Sequence, residues 1–274
     1  MARTTKKRAK QLKHDKFRDT ATDVYERLST RVEGRERTIL YAVGVVVVVV
    51  LLAVLFNWWR GSRADSANLA LSKAIEIAEA PVVTGTPQPG DIGPSFPNEQ
   101  ERARKAVEAF QKIAHDYGSP YGDIARYFAA VNMIPLDRDK ALGELDALTR
   151  NGDEDLAARS KFALAQAREA GKEYDAAAKL YQELLGDKNH SISENTLKLR
   201  LAAVYEKQGK KDDAANLLFG MVEAARKAQP KDGKTQPESA VVRAAADKLQ
   251  ELNPERYAQL PKEPTVIDSS SPIE

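Results

Sequence analysis

The sequence predicts an all-α protein, a single N-terminal transmembrane helix followed by an α-solenoid of helical hairpins. Three observations predict it. Residues 39–56, ILYAVGVVVVVVLLAVLF, form an uncharged run of eighteen. From Asn98 onward apolar residues recur at helical spacing, and small residues return at intervals of 35, 36 and 37. No stretch alternates polar and apolar residues long enough to build a sheet.

Residues 1–37 open the chain as a basic arm, with twelve Lys or Arg against six Asp or Glu, a net charge of +6. The first half is too polar to bury itself and is expected to stay unstructured in the cytoplasm or to touch anionic lipid. Further on, Phe17, Val24, Tyr25, Leu28 and Val32 share one helical face. An amphipathic helix on the inner leaflet, turned by Gly34 into the span, is expected there.

Residues 38–60 form the expected transmembrane helix. At about 1.5 Å per residue the apolar run is roughly 27 Å long, close to the hydrocarbon thickness of a bilayer. Fourteen of its eighteen residues are Ile, Leu, Val or Phe. Each favours mid-membrane by about 0.3–0.6 kcal/mol, and their sum outweighs the helix-propensity cost of the valine run at 45–50. Tyr41 lies near one boundary and Trp58 and Trp59 at the other, where amphipathic rings prefer the headgroup zone, and Arg60 closes the span. A cleaved signal peptide usually has a short lead and an apolar core of about 7–15 residues, so a retained anchor is expected instead. Residues 38–59 are uncharged and the whole chain is +2, which leaves −4 for residues 60–274. Lys and Arg concentrated before the span keep the N-terminus in the cytoplasm and send the large domain out.

Residues 61–253 are the expected exported domain, interrupted by a Pro/Gly loop at 81–97 that holds five prolines and three glycines. Before the loop, Ala67, Leu71, Ala74, Ile75 and Ala78 lie on one helical stripe. After it a repeat emerges. Its clearest unit is Leu201, Ala202, Ala203, Val204 and Tyr205, then Gly209, Ala214 and Leu218. One unit earlier come Leu164, Ala165, Gly171, Ala177 and Tyr181, one residue longer at the turn. Phe128, Ala129, Ala141 and Leu145 precede them, and the first second helix carries Ala106 and Phe110. This is the tetratricopeptide pattern of small and bulky positions on paired helices. An alanine at Ala106, Ala141, Ala177 and Ala214 lets antiparallel helices approach closely, and the bulky residue four later fills the gap between hairpins. A last helix over 238–252 caps the stack, and residues 254–274 are expected to be a flexible tail.

Little in the chain offers chemistry. Cysteine is absent and histidine occurs only at His14, His115 and His190, so neither disulfides nor the usual zinc or copper sites are expected. No glycine-rich phosphate loop, Gly-x-Ser-x-Gly elbow or His-Glu-x-x-His helix is present. No catalytic residue, metal ligand, cofactor or small-molecule substrate is assigned, and the protein is expected not to be an enzyme. The exported domain is slightly acidic without a basic stripe, so no nucleic-acid partner is expected. A hairpin stack does supply a curved protein-binding surface lined by first helices. Repeat geometry places Arg126, Met133, Arg159, Phe162, Gln166, Glu169 and Glu206 on that groove.

The basic amphipathic lead, the span ending in aromatics and arginine, the segment Arg63-Ala64-Asp65-Ser66-Ala67, and Ser119-Pro120-Tyr121-Gly122-Asp123-Ile124-Ala125-Arg126 together carry a likeness. Over residues 20–255 the chain resembles the ancillary SecYEG translocon subunit, a family of single-pass bacterial proteins with an exported tetratricopeptide-like domain. The resemblance implies a place in the bacterial inner membrane beside the Sec translocon, with the large domain periplasmic. It also implies partners, namely translocon components and a periplasmic chaperone or membrane-anchored prolyl isomerase. The basic arm, the loop at 81–97 and the long tail depart from the family pattern. The expected function is a membrane-anchored adaptor that binds proteins at the exported face of the translocon and hands over or assembles secreted and envelope proteins. The alternative is a structural scaffold for envelope assembly or cell division with the same fold.

Overall fold

The computed structural model describes residues 36–83, 93–228 and 238–263, with side chains for all of these except 36–47 and 56–60. Ten helices and one isolated β-bridge make up the regular structure among the described residues. The chain divides into two units, Met1–Asp65 and Ser66–Glu274.

In the first unit, helix α1 (Glu36–Glu79) carries the apolar run. All eight residues of 48–55 are exposed, the large ones by 54–60%, so no face of this stretch is buried. Among the described residues no helix is long and apolar enough to cross a membrane. The expected anchors Tyr41, Trp58, Trp59 and Arg60 sit on α1 with side chains outside the described residues. The arm before Glu36 lies outside them as well.

In the second unit the last turns of α1 are followed by α2 (Glu99–Asp116), α3 (Tyr121–Met133), α4 (Arg138–Leu148), α5 (Glu154–Ala170) and α6 (Tyr174–Gly186). Then come α7 (Glu194–Lys207), α8 (Lys211–Lys227), α9 (Ala240–Leu252) and the single turn α10 (Pro254–Tyr257). From α2 on, each helix packs against its successor, which is the order of a solenoid. Short polar side chains start several of them by accepting otherwise orphaned N–H groups. Asn98 takes Glu101 N at 2.8 Å, Asp137 takes Lys140 N at 3.1 Å, and Asp153 takes both Asp155 N and Leu156 N at 3.0 Å.

The alanine seam is where its spacing places it. Ala106, Ala141, Ala177 and Ala214 are each 0% exposed, and their bulky companions Phe110, Leu145, Tyr181 and Leu218 are buried to the same degree. A larger side chain at the seam would push neighbouring helix axes apart, and a smaller one at the companion position would leave a void. Four apolar clusters follow one another along the unit, each shared by consecutive helices.

The two turn glycines do different work. Gly209 has φ +79°, a left-handed conformation that closes the α7–α8 hairpin and strains any residue with a Cβ. The α5–α6 turn, expected to be one residue longer, has the same three residues between helices, and the position matching Gly209 is taken by Lys172, with φ 61°, while Gly171 one place earlier has an ordinary φ of −78°. Gly171 leaves room: a Cβ there would lie 2.2 Å from the Arg138 guanidinium, which binds Glu173 and donates to Ala167 O at 3.2 Å. Gly122, in the segment 119–126, meets a stiffer neighbour, since its Cβ would lie 2.1 Å from the Tyr117 carbonyl oxygen. That approach sets the close packing of α2 on α3.

The Pro/Gly loop is pinned at its described ends. Val83 N donates to Phe96 O at 2.9 Å and Phe96 N to Pro81 O at 3.1 Å, while residues 84–92 lie outside the described part. The stretch from Pro254, expected to be a flexible tail, is helical over Pro254–Tyr257 and held as far as Pro261, whose carbonyl accepts from Arg226 at 2.7 Å. Residues 229–237 and the tail from 264 lie outside the described residues.

Candidate protein-binding site

Of the seven expected groove residues, Arg126 and Met133 line one depression, Gln166 and Glu169 line a second, and Arg159, Phe162 and Glu206 line neither. The first, of about 280 Å³, has a floor of Ala114, Ala129, Ala130 and Met133 and a rim that includes His115, Arg126, Lys140 and Glu144. It is walled by α2, α3 and α4. Arg126 spans its edge, donating to Glu144 Oε2 at 3.0 Å with Asp123 at 4.0 Å. Met133 is only 5% exposed and contributes to the floor. His115 meets Asp116 at 3.1 Å, but its side chain is 89% exposed, so the pair lacks the enclosure of a catalytic dyad.

The second depression, of about 230 Å³, lies among α5, the start of α6 and α7. Gln166 and Glu169 line it, together with Ala170, Tyr174, Arg200 and Lys207. Tyr181 O–H donates to Glu169 Oε2 at 2.9 Å. Burial, and then the Glu169 charge, push the Tyr181 phenol well above its usual range, so it remains a donor. Phe162 packs edge-on against the same Tyr181 ring, 5.9 Å between centroids, and is half-buried. Glu206 is tied to Lys248 of α9 at 3.0 Å. Sequence spacing found Gln166 and Glu169 but not Arg200 and Lys207, whose separation of seven residues on one helix was the available signal.

Arg159 forms a strut to the turn before α7. Its Nε donates to Asp155 Oδ2 at 2.6 Å and its guanidinium reaches Ser191 Oγ at 3.2 Å. Ser191 gives its hydroxyl at 2.6 Å and its N–H at 3.0 Å to Asp155 Oδ1. The Ser191 hydroxyl first, then Arg159 and the Ser191 N–H, lower the Asp155 carboxyl from 3.8 to about 2. A depressed carboxylate contributes stability above its unfolded pKa and loses it as pH falls through the folded one, here from about 4 down to about 2. Because the side chain is 41% exposed, water screens the strut, and its worth at neutral pH is under about 1 kcal/mol. Thermal unfolding followed over that acid range should steepen more in the parent than in Asp155→Asn. Parallel curves for the two would mean that the strut does not couple to folding.

Consecutive helical hairpins with an alanine seam define an all-α, tetratricopeptide-like solenoid. No protein-family model and no curated protein matches the chain. Among solved structures it is similar to a kinesin-light-chain-like protein of Podospora anserina with nearly identical TPR-like repeats, and to a single-substitution variant of that protein. Each is 18% identical, spans 58% of this chain and 83% of the other, and superposes with TM-scores of 0.45 and 0.46.

Proposed function

We propose that this chain is a membrane-anchored adaptor without catalytic activity, which binds proteins at the exported face of the bacterial Sec translocon and passes secreted or envelope proteins to chaperones. The observation that carries the reading is a juxtaposition within one chain. A helix stretch that exposes only apolar residues over 48–55 precedes a hairpin stack with side-chain-sized depressions. An apolar helix with no buried face is stable in hydrocarbon, where its backbone bonds are internal and its side chains need no covering. The net charge of +6 before the span supports a cytoplasmic N-terminus and a periplasmic domain. Anchoring then holds the stack near its neighbours at high effective concentration, so modest affinities suffice. The translocon and a chaperone or prolyl isomerase as partners rest on the likeness of the span and of residues 119–126 to the ancillary translocon subunit.

The test is gentle detergent extraction of the full chain after crosslinking in cells from positions 126 and 162. Translocon subunits and periplasmic chaperones are expected among the captured proteins. Release of the intact chain by alkaline carbonate, or capture of neither group, would sink the reading.

A further inference from the structure

We propose that the depression between α5 and α7 binds an extended acidic segment of a protein partner, with two acidic residues three positions apart reaching Arg200 and Lys207. This rests on the reading of the stack as a protein-binding module and specifies what this part of it takes. Both cations line one concavity of about 230 Å³, and among the described residues neither has an ion pair or a side-chain hydrogen bond. The neighbouring arginines on α5 differ, since Arg159 is paired with Asp155 and Arg168 with Glu173. Two free cations in one hollow form a site for paired negative charge.

Their spacing narrows the ligand. Seven residues of helix separate them by about 10 Å along one face of α7. A polyproline-type segment returns to the same face every three residues and advances about 9 Å in doing so. Acidic side chains at positions i and i+3 of such a segment therefore meet both cations at once.

The remaining groups favour a polypeptide over a phosphate or a lipid headgroup. Gln166 offers both a donor and an acceptor. Glu169 uses Oε2 for the Tyr181 hydroxyl, which leaves Oε1 able to accept a backbone N–H. A headgroup phosphate supplies acceptors and charge only, so Glu169 would repel it. An extended peptide uses the cations, the amide and the carboxylate together.

The probe is a fluorescein-labelled peptide carrying Glu-Pro-Pro-Glu between Gly-Ser flanks, titrated by anisotropy against the full chain in detergent. It is expected to bind at least tenfold more tightly than its Gln-Pro-Pro-Gln counterpart, and less tightly as salt rises. Arg200→Gln and Lys207→Gln should each weaken it about tenfold, the loss of one charge-assisted hydrogen bond. Lys112→Gln and Lys179→Gln, at exposed positions on other helices, should leave it unchanged. Equal binding of both peptides, or indifference to the two substitutions, overturns the proposal. Displacement of the peptide by phosphatidylglycerol bicelles acting through the same two residues assigns the hollow to a headgroup and also overturns it. If the Arg200→Gln/Lys207→Gln chain still captures its envelope partners in cells, the site is wrong and the adaptor reading stands.

Discussion

Arg226→Ala is expected to cost about 3–5 kcal/mol and to release α9 and α10 from the stack, because it leaves a buried carboxylate without its counter-ion. Arg226 Nε donates to Glu238 Oε1 at 2.6 Å, and the two side chains are only 5% and 4% exposed. A second guanidinium nitrogen donates to the Pro261 carbonyl at 2.7 Å, so one side chain joins the end of α8, the lead into α9 and the segment after α10. The other Glu238 oxygen already lacks a protein partner, which makes that carboxylate costly to strand. Arg226→Met with Glu238→Leu removes both charges and should recover most of the loss, since an apolar pair of similar volume replaces a desolvated ion pair at little cost. The readouts are the urea midpoint of the full chain in detergent and amide exchange in α9, where Val242, Ala245, Ala246 and Leu249 pack on Leu218, Met221 and Val222. An unchanged midpoint with α9 still protected in Arg226→Ala would show that apolar packing alone holds the cap.

That clasp was not legible in the sequence, and the reason is instructive. The alanine seam is a local signal repeated: close helix approach requires a small residue, the requirement returns with each hairpin, and the period survives changes in the loops. It led to Ala106, Ala141, Ala177 and Ala214, all fully buried. Arg226 and Glu238 face each other only because α8 and α9 adopt particular rotations, and residues 229–237 between them carry no periodic signal. The candidate site shows the same limit. Repeat register chose seven positions on first helices, yet a change of one residue turns a helical side chain by about 100°, so register alone cannot say which of them share a hollow. Arg126 and Met133 open between α2 and α4, whereas Gln166 and Glu169 open toward α7. At the α5–α6 turn the left-handed residue is Lys172, five before Ala177 as Gly209 is five before Ala214, so Gly171 marked the turn but not its strained position.

The polar groups also divide by distance from water, which bears on how the stack works. Ion pairs on the outer helix faces such as Arg150 with Asp146 and Lys105 with Glu108 have both side chains more than half exposed and contribute little to stability. Stability therefore resides in the seam and in the terminal clasp. Arg200 and Lys207, exposed at the second depression and without an ion pair among the described residues, do not hold the fold, unlike Met133, Ala129 and Ala130 in the floor of the first. Substitutions at Arg200 or Lys207 can accordingly be read as binding effects, whereas substitutions at the seam cannot.

Phe110→Ala is the sharpest test of the seam. The ring is 0% exposed and stacks on Phe128 with centroids 5.2 Å apart and planes 18° from parallel. It shares a cluster with Leu71 and Ala74 from the end of α1 and with Ala125 and Ala129 of α3, so it joins three helices of the second unit. Truncation removes the transfer term of the ring and leaves a void that rigid helices close only in part, a loss of about 3–5 kcal/mol. Phe110→Leu keeps most of the volume and should cost under about 1.5 kcal/mol if the neighbours repack. Because repeats interact chiefly with their neighbours, amide exchange should rise across α2 and α3 while α7 to α9 stay protected. A loss spread evenly over all helices would mean that the unit unfolds as one block and that its hairpins are not the units of stability. A negligible loss for Phe110→Ala would mean that the bulky position four residues after each alanine does not fill the gap between hairpins, and the steric reason for the repeat would fall with it.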